Sequence, residues 1–402
     1  MSSAFIVGGS FLQKMSSVST FNSIENPTLT AEKYDESESS LNAGSEQDTT
    51  MIPLSEEPLL LVSSNPLLTP EECRIVIQYL EMTKEGSVDP LNDVFFEKNG
   101  NYVFSTAHES KVNEDDSTIN NDDDGDSNDD NDALYERARN IVYRVRSDID
   151  RLTNSKSHSG DFALPRFLSF KVEQIPDPSK DGVKQTLHTL LPDGLHSDNV
   201  NDMFTRHISA LLYLSGEVDE YDEVNGLVGG STTFPLALPL GQDSSEKTTF
   251  DKTVEEASMN LIKSNILHTG QRNFENGEME CTLLESAAFS VFHRDISKKG
   301  SSSKNNQSII DLPPSTLGIR VNPKPGQLCI FHNLLDDGSP DPLSFHAGEA
   351  ILGRSSSAST SGKKVLLVFF KTIRLNDSMN HERKELAVKS KASRNWIKQQ
   401  YY

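Results

Sequence analysis

The sequence predicts a mainly β fold of the α+β class, with helices packed on one face of a β-sandwich or barrel. Three observations carry this. Apolar residues recur at helical spacing in two stretches before residue 160, and at every second position in several stretches after 165. A long polar stretch interrupts the second region without adding a period of its own. Helices first and strands afterwards is the order expected when helices cover one face of a sheet assembly.

Residues 1–55 are polar, rich in Ser, Thr and Glu, and without period, so they read as a disordered leader. The first 24 residues carry Lys14 as their only charged side chain, which leaves organelle targeting open beside the plain leader. Leu59, Leu60, Leu61 and Val62 form a short buried strand. Thr69 is placed to cap a helix, Pro70 suits its first position, and Glu72 completes a capping box. Cys73, Val76, Ile77 and Leu80 follow at helical spacing. A second helix is expected over 134–152, with Ala138, Ile141, Val142, Val145 and Ile149 on one face. These helices make up an N-terminal support over 56–160, divided by an acidic disordered loop at 111–133.

The main domain is expected over 161–375. Leu168, Phe170 and Val172 alternate with Ser169, Lys171 and Glu173, the pattern of a half-buried strand. Further strands are expected at 208–214, 327–332 and 365–373. Residues 241–314 read as an insertion, ordered only around 283–292 and placed where a lid or partner-binding surface would be. The basic tail, 376–402, holds the single tryptophan, Trp396, and reads as a solvated terminal helix.

A chain of 402 residues accommodates one large domain with extensions or two ordinary ones. Its hydrophobic content of 35% and mean hydropathy of −0.49 leave room for a good deal of loop. The formal charge of −22 excludes non-specific nucleic-acid binding, which needs a basic surface. Much of that charge is local, since the stretch from Lys111 to Asp132 holds ten acidic residues against one lysine. Cys73, Cys281 and Cys329 are too far apart for a zinc or disulfide framework, so an intracellular, cytoplasmic setting is the simplest expectation. No apolar run approaches the ~18 residues of a membrane span.

One motif carries chemistry. His196-Ser197-Asp198 sets an imidazole and a carboxylate two residues apart, so in an extended strand both project to the same side and reach one metal. A second imidazole from a distant strand would complete a two-His-one-carboxylate triad, which leaves half the coordination sphere of Fe(II) open. His293-Arg294-Asp295 is a second copy of the dipeptide pattern. It lies in the insertion and leaves only about 50 residues before His346, scarcely room for several sandwich strands of about 5–6 residues each. The first copy is therefore preferred.

In order along the chain come Leu68-Thr69-Pro70-Glu71-Glu72-Cys73, His196-Ser197-Asp198 and Leu212-Tyr213-Leu214-Ser215. Gly229-Gly230 follows, with Thr232 and Phe234-Pro235, then Val321-Asn322-Pro323-Lys324-Pro325-Gly326 with Ile330-Phe331, and His346-Ala347-Gly348. This series, over about residues 60–375, resembles the prolyl 4-hydroxylases of the 2-oxoglutarate/Fe(II) oxygenase superfamily. The resemblance implies a double-stranded β-helix, or jelly-roll, and makes His346 the distal metal ligand beside His196 and Asp198. It also implies a cation on the last core strand for the C5 carboxylate of 2-oxoglutarate. The usual ten-residue interval from His346 falls on Ser356, which cannot serve. Gly362-Lys363-Lys364 resembles the family's Gly-x-Lys, so Lys364 is chosen, with Lys363 the alternative and Arg354 a third candidate. Tyr213 is either a second hydrogen-bond donor to that carboxylate or a core aromatic.

The activity implied is hydroxylation with Fe(II), 2-oxoglutarate, O2 and L-ascorbate, releasing succinate and CO2. The implied substrate is proline in an intracellular peptide or protein. Two rivals stand beside it. One is a non-catalytic jelly-roll binding module, against which retention of all three ligands speaks. The other is a metal-dependent cupin-type enzyme that uses no 2-oxoglutarate and needs no lysine on the last strand.

Overall fold

The computed structural model describes residues 49–84, 101–103, 129–153, 161–162, 166–174, 190–191, 194–199, 204–215, 227–271, 277–299, 315–353, 363–374 and 379–402. The elements, all within the unit Asp48–Tyr402, begin with β1 (Met51–Glu56), β2 (Leu59–Ser63), α1 (Pro70–Lys84), β3 (Asn101–Val103) and α2 (Asp129–Thr153). They continue with β4 (Asp161–Phe162), β5 (Arg166–Gln174), β6 (Phe204–Tyr213), β7 (Leu227–Gly229), β8 (Thr232–Phe234), α3 (Thr249–Lys263) and α4 (Glu278–Lys299). Last come β9 (Ile319–Val321), β10 (Leu328–His332), β11 (Ala347–Gly348), β12 (Ile351–Gly353), β13 (Lys363–Arg374) and α5 (Met379–Tyr401).

The strands form a mixed helix and sheet architecture with a sheet-rich core. The larger sheet runs β1-β2-β10-β6-β13-β5-β12-β7, with β3 also on β5 and β4 on β13; the smaller runs β11-β8-β9. Pairing is antiparallel except between β12 and β5. Alternation along the central strands divides the side chains between two cores. Ile208, Ala210 and Leu212 of β6, Ile330 of β10 and Leu367 and Phe369 of β13 join Val76 of α1 and Ala138, Val145 and Ile149 of α2. The residues in between, Leu211, Tyr213, Phe331, Leu366, Val368 and Phe370, pack with Phe234 and Val321 of the smaller sheet. Each fully buried large apolar side chain stabilises the fold by about 1.5–3 kcal/mol.

The first helix starts as its sequence requires. Thr69 N–H donates to Glu72 Oε2 at 2.8 Å and Glu72 N–H donates to Thr69 Oγ1 at 3.2 Å, the two halves of a capping box. Arg144 of α2 then reaches Glu72 at 2.7 Å, which ties the helices together. The second helix begins at Asp129, inside the stretch read as an acidic loop, where carboxylates favour a helix N-terminus. At the other end of the leader, Met51–Glu56 pairs with β2 as β1, so the segment read as disordered gives up its last residues to the sheet. The rest of the leader, residues 1–48, lies outside the described residues.

The insertion holds two helices where the pattern indicates little order. Thr248 and Asp251 form a capping box at the start of α3, and Asp251 also accepts from the Ser315 and Thr316 hydroxyls at 2.7 and 2.8 Å. Arg294 of α4 donates to the carbonyls of Ser315, Leu317 and Gly318. Gly318 has φ +100°, and a Cβ there would meet Val291 Cγ2 at 2.1 Å, so only glycine lets the chain pass this close to α4. A third core results, in which Val254, Leu261, Leu284 and Phe292 pack with Leu195, Phe345 and Ala347.

The C-terminal helix is a packed element rather than a solvated one. Ile397 is buried in the core of α1 and α2, Trp396 packs against it, and Arg394 donates to Asp336 at 2.9 Å and to the Leu334 carbonyl at 3.0 Å. Among the described residues no helix is long and apolar enough to cross a membrane. Because the insertion shares a core with the rest, Leu284→Ala is expected to lower global stability by about 2–5 kcal/mol, measured by urea unfolding of the full chain; a loss below that range would mark the insertion as an appendage.

Candidate metal centre

Backbone pairing brings the predicted ligands together. His196 N–H donates to the His346 carbonyl and His346 N–H to the His196 carbonyl, both at 2.9 Å. This reciprocal exchange is the close hydrogen-bonded pair of an antiparallel ladder, in which opposed side chains leave on the same face. On its other edge the same segment pairs with the stretch of the insertion between α3 and α4: Ser197 N–H donates to Leu267 O, and Thr269 N–H to Leu195 O, each at 2.8 Å. The His196 segment is thus held from both sides. Gly194 turns into it at φ +69°, where a Cβ would lie 2.5 Å from Thr269 Oγ1.

Asp198, two residues on, faces the same way. Its Oδ1 is 3.7 Å from His196 Nε2 and its Oδ2 is 3.6 Å from His346 Nε2. One ligand atom from each of the three lies within 4.8 Å of the others, and among the described residues this is the only such group. The imidazole of His346 is buried against Phe234 and Phe331, at ring distances of 5.4 and 4.6 Å. Its Nδ1 lies 3.0 Å from the Ser344 carbonyl. A carbonyl only accepts, so Nδ1 carries a proton and Nε2 is the ring atom that faces Asp198.

The Ser344 carbonyl is itself fixed. Residues Pro342–Ser344 form a 3-10 turn capped by Asp341, whose Oδ1 accepts from Leu343 N–H at 2.9 Å. Asp341 faces Arg394 of α5 at 3.6 Å, and burial pushes its carboxyl up to about 6 against the pull of that N–H and of Arg394. The C-terminal helix therefore reaches the distal histidine through one turn of backbone.

The electrostatics suit a cation. Burial and the neighbouring His346 hold the His196 imidazole neutral, with its pKa down to about 3, although Asp198 pulls the other way. Burial resists ionisation of Asp198, but His346, His196 and the Ser209 hydroxyl overcome it and hold the carboxyl below the usual carboxylate range. The donor set is thus two imidazoles and one carboxylate, walled by aromatic rings behind His346. It opens at His196, whose side chain is 34% exposed. Two imidazoles and one carboxylate with free positions are the donors of non-haem Fe(II) oxygenase centres, so the residues present fit a ferrous ion.

The second dipeptide copy stands apart from this cluster. His293 and Asp295 lie on α4, where residues i and i+2 diverge around the helix. His293 packs edge-on against Phe289 at 4.3 Å, and Asp295 sits beside Arg294 and Arg320 at 3.8 and 4.0 Å. Tyr213 is fully buried in the core between the sheets and donates to Thr232 Oγ1 at 2.8 Å; burial raises its pKa well above the ordinary value. Lys363 and Lys364 open β13, but their side chains, and the whole of Arg354, lie outside the described residues.

Among residues the sequence passes over, His268 stacks beside His196 at 5.8 Å and accepts from Gly270 N–H through Nδ1 at 2.8 Å. Arg320 and Glu349 form a buried pair at 2.7 and 2.5 Å, joining β9 to the link between β11 and β12. No pattern marks either, because His196 and Glu349 are remote from them in sequence.

No family model and no curated protein matches the chain. Among solved structures it is similar to the viral collagen prolyl hydroxylase of Paramecium Bursaria Chlorella virus-1. A truncated form is 12% identical, with a TM-score of 0.31, over 78% of this chain and 89% of that one. The same protein in its 2OG complex is 10% identical, with a TM-score of 0.33, over 78% and 95%. The geometry of the metal centre is an observation independent of that likeness.

A pH dependence follows from His196. Its folded pKa of about 3 lies below the ordinary value of 6.5, so its contribution to stability is full above about 6.5 and drains as pH falls towards 3. Chelator-treated wild type is expected to lose more of its urea midpoint between about pH 7 and about pH 5 than His196→Gln, which has no such proton to resist.

Proposed function

We propose that the chain is an Fe(II)- and 2-oxoglutarate-dependent oxygenase, of the prolyl 4-hydroxylase kind, that hydroxylates a proline in a peptide or protein. The observation that carries this is the His196–His346 backbone pair, which sets two imidazoles and the Asp198 carboxylate within 4.8 Å of one another on a site open at one edge. The two sheets are proposed as the halves of a double-stranded β-helix; in support, Phe234 and Val321 of the smaller sheet pack on Tyr213, Phe331 and Phe370 of the larger.

His196, Asp198 and His346 would hold the metal. Bound there, Fe(II) supplies activation of O2 coupled to decarboxylation of 2-oxoglutarate, so that substrate, O2 and 2-oxoglutarate become hydroxylated product, succinate and CO2. The protein's own work is positioning. Asp198 would contribute the only negative charge among the three ligands, so a bound divalent ion would keep a net positive charge towards the dianionic cosubstrate. Phe234 and Phe331 keep water from the inner side of His346.

Lys364 is proposed as the partner of the C5 carboxylate, since an unpaired carboxylate inside a barrel is costly. Alternation along β13 supports it over Lys363: position 364 is in phase with Leu366, Val368 and Phe370 of the inter-sheet core, whereas 363 is in phase with Leu367 and Phe369 of the helix-covered core. Leu366 pairs with Tyr213, so position 364 stands diagonal to that tyrosine, the proposed second donor. Cys73, Cys281 and Cys329 are buried and none is in a disulfide, which accords with an intracellular substrate.

The test is succinate release from 2-oxoglutarate with Fe(II) and ascorbate over a panel of proline peptides. Wild type is expected to turn over and His346→Ala to fall by at least about a hundredfold, no less than the loss of an outer-shell partner costs. Lys364→Met is expected to raise the 2-oxoglutarate concentration needed while leaving iron binding intact. Iron binding without any succinate would favour the binding module, and turnover without 2-oxoglutarate would favour the cupin-type enzyme.

A further inference from the structure

We infer that Ser209 and Asn333 are positioning residues of the metal centre: Asn333 fixes the Ser209 hydroxyl, and that hydroxyl fixes the Asp198 carboxylate. The inference rests on the metal-centre reading above and adds to it two residues that touch no metal themselves.

Ser209 lies within β6, opposite Phe331 of β10 and Phe370 of β13. It is in phase with Leu211 and Tyr213 on the side facing the smaller sheet, and is 0% exposed. A hydroxyl in that apolar row needs a partner, because a buried polar group without one costs about 1–3 kcal/mol. Its partner is the metal ligand: Ser209 Oγ donates to Asp198 Oδ2 at 2.7 Å. Asn333 Nδ2 in turn donates to Ser209 Oγ at 2.9 Å.

Proton counting makes the chain directional. An ionised carboxylate accepts only, and a serine has one proton to give. With that proton on Asp198, Ser209 Oγ presents only lone pairs, so the amide of Asn333 must turn its Nδ2 towards it. The Asn333 backbone is clamped to hold this position, its N–H donating to His207 O at 2.8 Å and its carbonyl accepting from Asp341 N–H at 2.9 Å. Asn333 is 0% exposed, and its Oδ1 has no hydrogen-bond partner among the described residues. For packing alone an apolar residue of the same size would be the more stable choice. What the asparagine adds is the bond to Ser209.

The consequence is a carboxylate with one oxygen engaged. Ser209 engages one lone pair of Oδ2, the oxygen that also faces His346, and so fixes the turn of the carboxylate that sets Oδ1 towards His196. A carboxylate held in one orientation is a preorganised metal ligand, which is what outer-shell hydrogen bonds supply.

The experiment titrates Co(II), as a spectroscopic probe, into chelator-treated full-length protein and reads the visible absorption band. It compares wild type with Ser209→Ala, Ser209→Thr and Asn333→Asp. Ser209→Ala is expected to bind Co(II) about 10–100-fold more weakly with an altered band, as outer-shell losses do, and Ser209→Thr to restore both. Asn333→Asp removes the N–H donor and sets a second carboxylate competing for the Ser209 proton, so it is expected to weaken binding in the same range. Urea midpoints of the metal-free proteins separate positioning from folding: a purely structural role lowers the midpoint while folded protein keeps wild-type affinity and band. Wild-type affinity and band in both Ser209→Ala and Asn333→Asp would overturn the inference while leaving the metal centre standing. Failure of wild type itself to bind Co(II) would instead remove the centre, and the inference with it.

Discussion

The reciprocal hydrogen-bond pair between His196 and His346 is the constraint on which the rest of the structure depends. Two imidazoles from distant parts of the chain reach one metal only if their Cα atoms are first brought opposite one another. Pairing the backbones does this and sends both side chains off one face, which leaves their rotamers to be set by side-chain contacts. His346 is oriented by the Ser344 carbonyl and by Phe234 and Phe331, and Asp198 by Ser209. The insertion takes part in the same constraint. Leu267 and Thr269 pair with the outer edge of the His196 segment, and Phe345 and Ala347, on either side of His346, are buried in the core that α3 and α4 supply.

Buried charge follows the same logic. Burial alone would neutralise Asp198, and the fold offsets this with two imidazoles and a hydroxyl. Asp341 and Glu349, five residues before and three after His346, are both buried and both face an arginine from elsewhere, Arg394 of α5 and Arg320 of β9. Such pairs contribute little net stability, because desolvation offsets most of their attraction. Their value here is geometric: each pins one end of the segment that presents the distal histidine to an element remote in sequence.

Much of this was legible in the residues, and the exceptions have physical causes. The His196/Asp198 pair could be read because side chains two apart share a face of extended chain, and the first helix because Thr69 and Glu72 spell its cap. The helix α4 was legible only over 283–292: Cys281, Leu284, Ala287, Ala288, Val291 and Phe292 recur at helical spacing, but the buried Glu285 and Ser290 and the apolar Leu283 and Phe289 off that stripe blur the pattern. For α3 the signal was present in Val254, Ala257 and Leu261 with the Thr248–Asp251 cap, but Lys, Glu and Ser between them gave the stretch a polar cast. The terminal helix α5 looked solvated for the same reason. Ser209 reads as one interruption in an apolar strand, and Asn333 lies 124 residues from its partner, so neither role shows without the fold.

The most direct test of this account is X-ray absorption at the iron edge of the Fe(II)-loaded, full-length protein. It predicts scattering from two imidazole rings and one carboxylate, with solvent in the remaining positions. A spectrum without imidazole scattering, or an ion retained unchanged after replacement of His196 and His346 together, would contradict it.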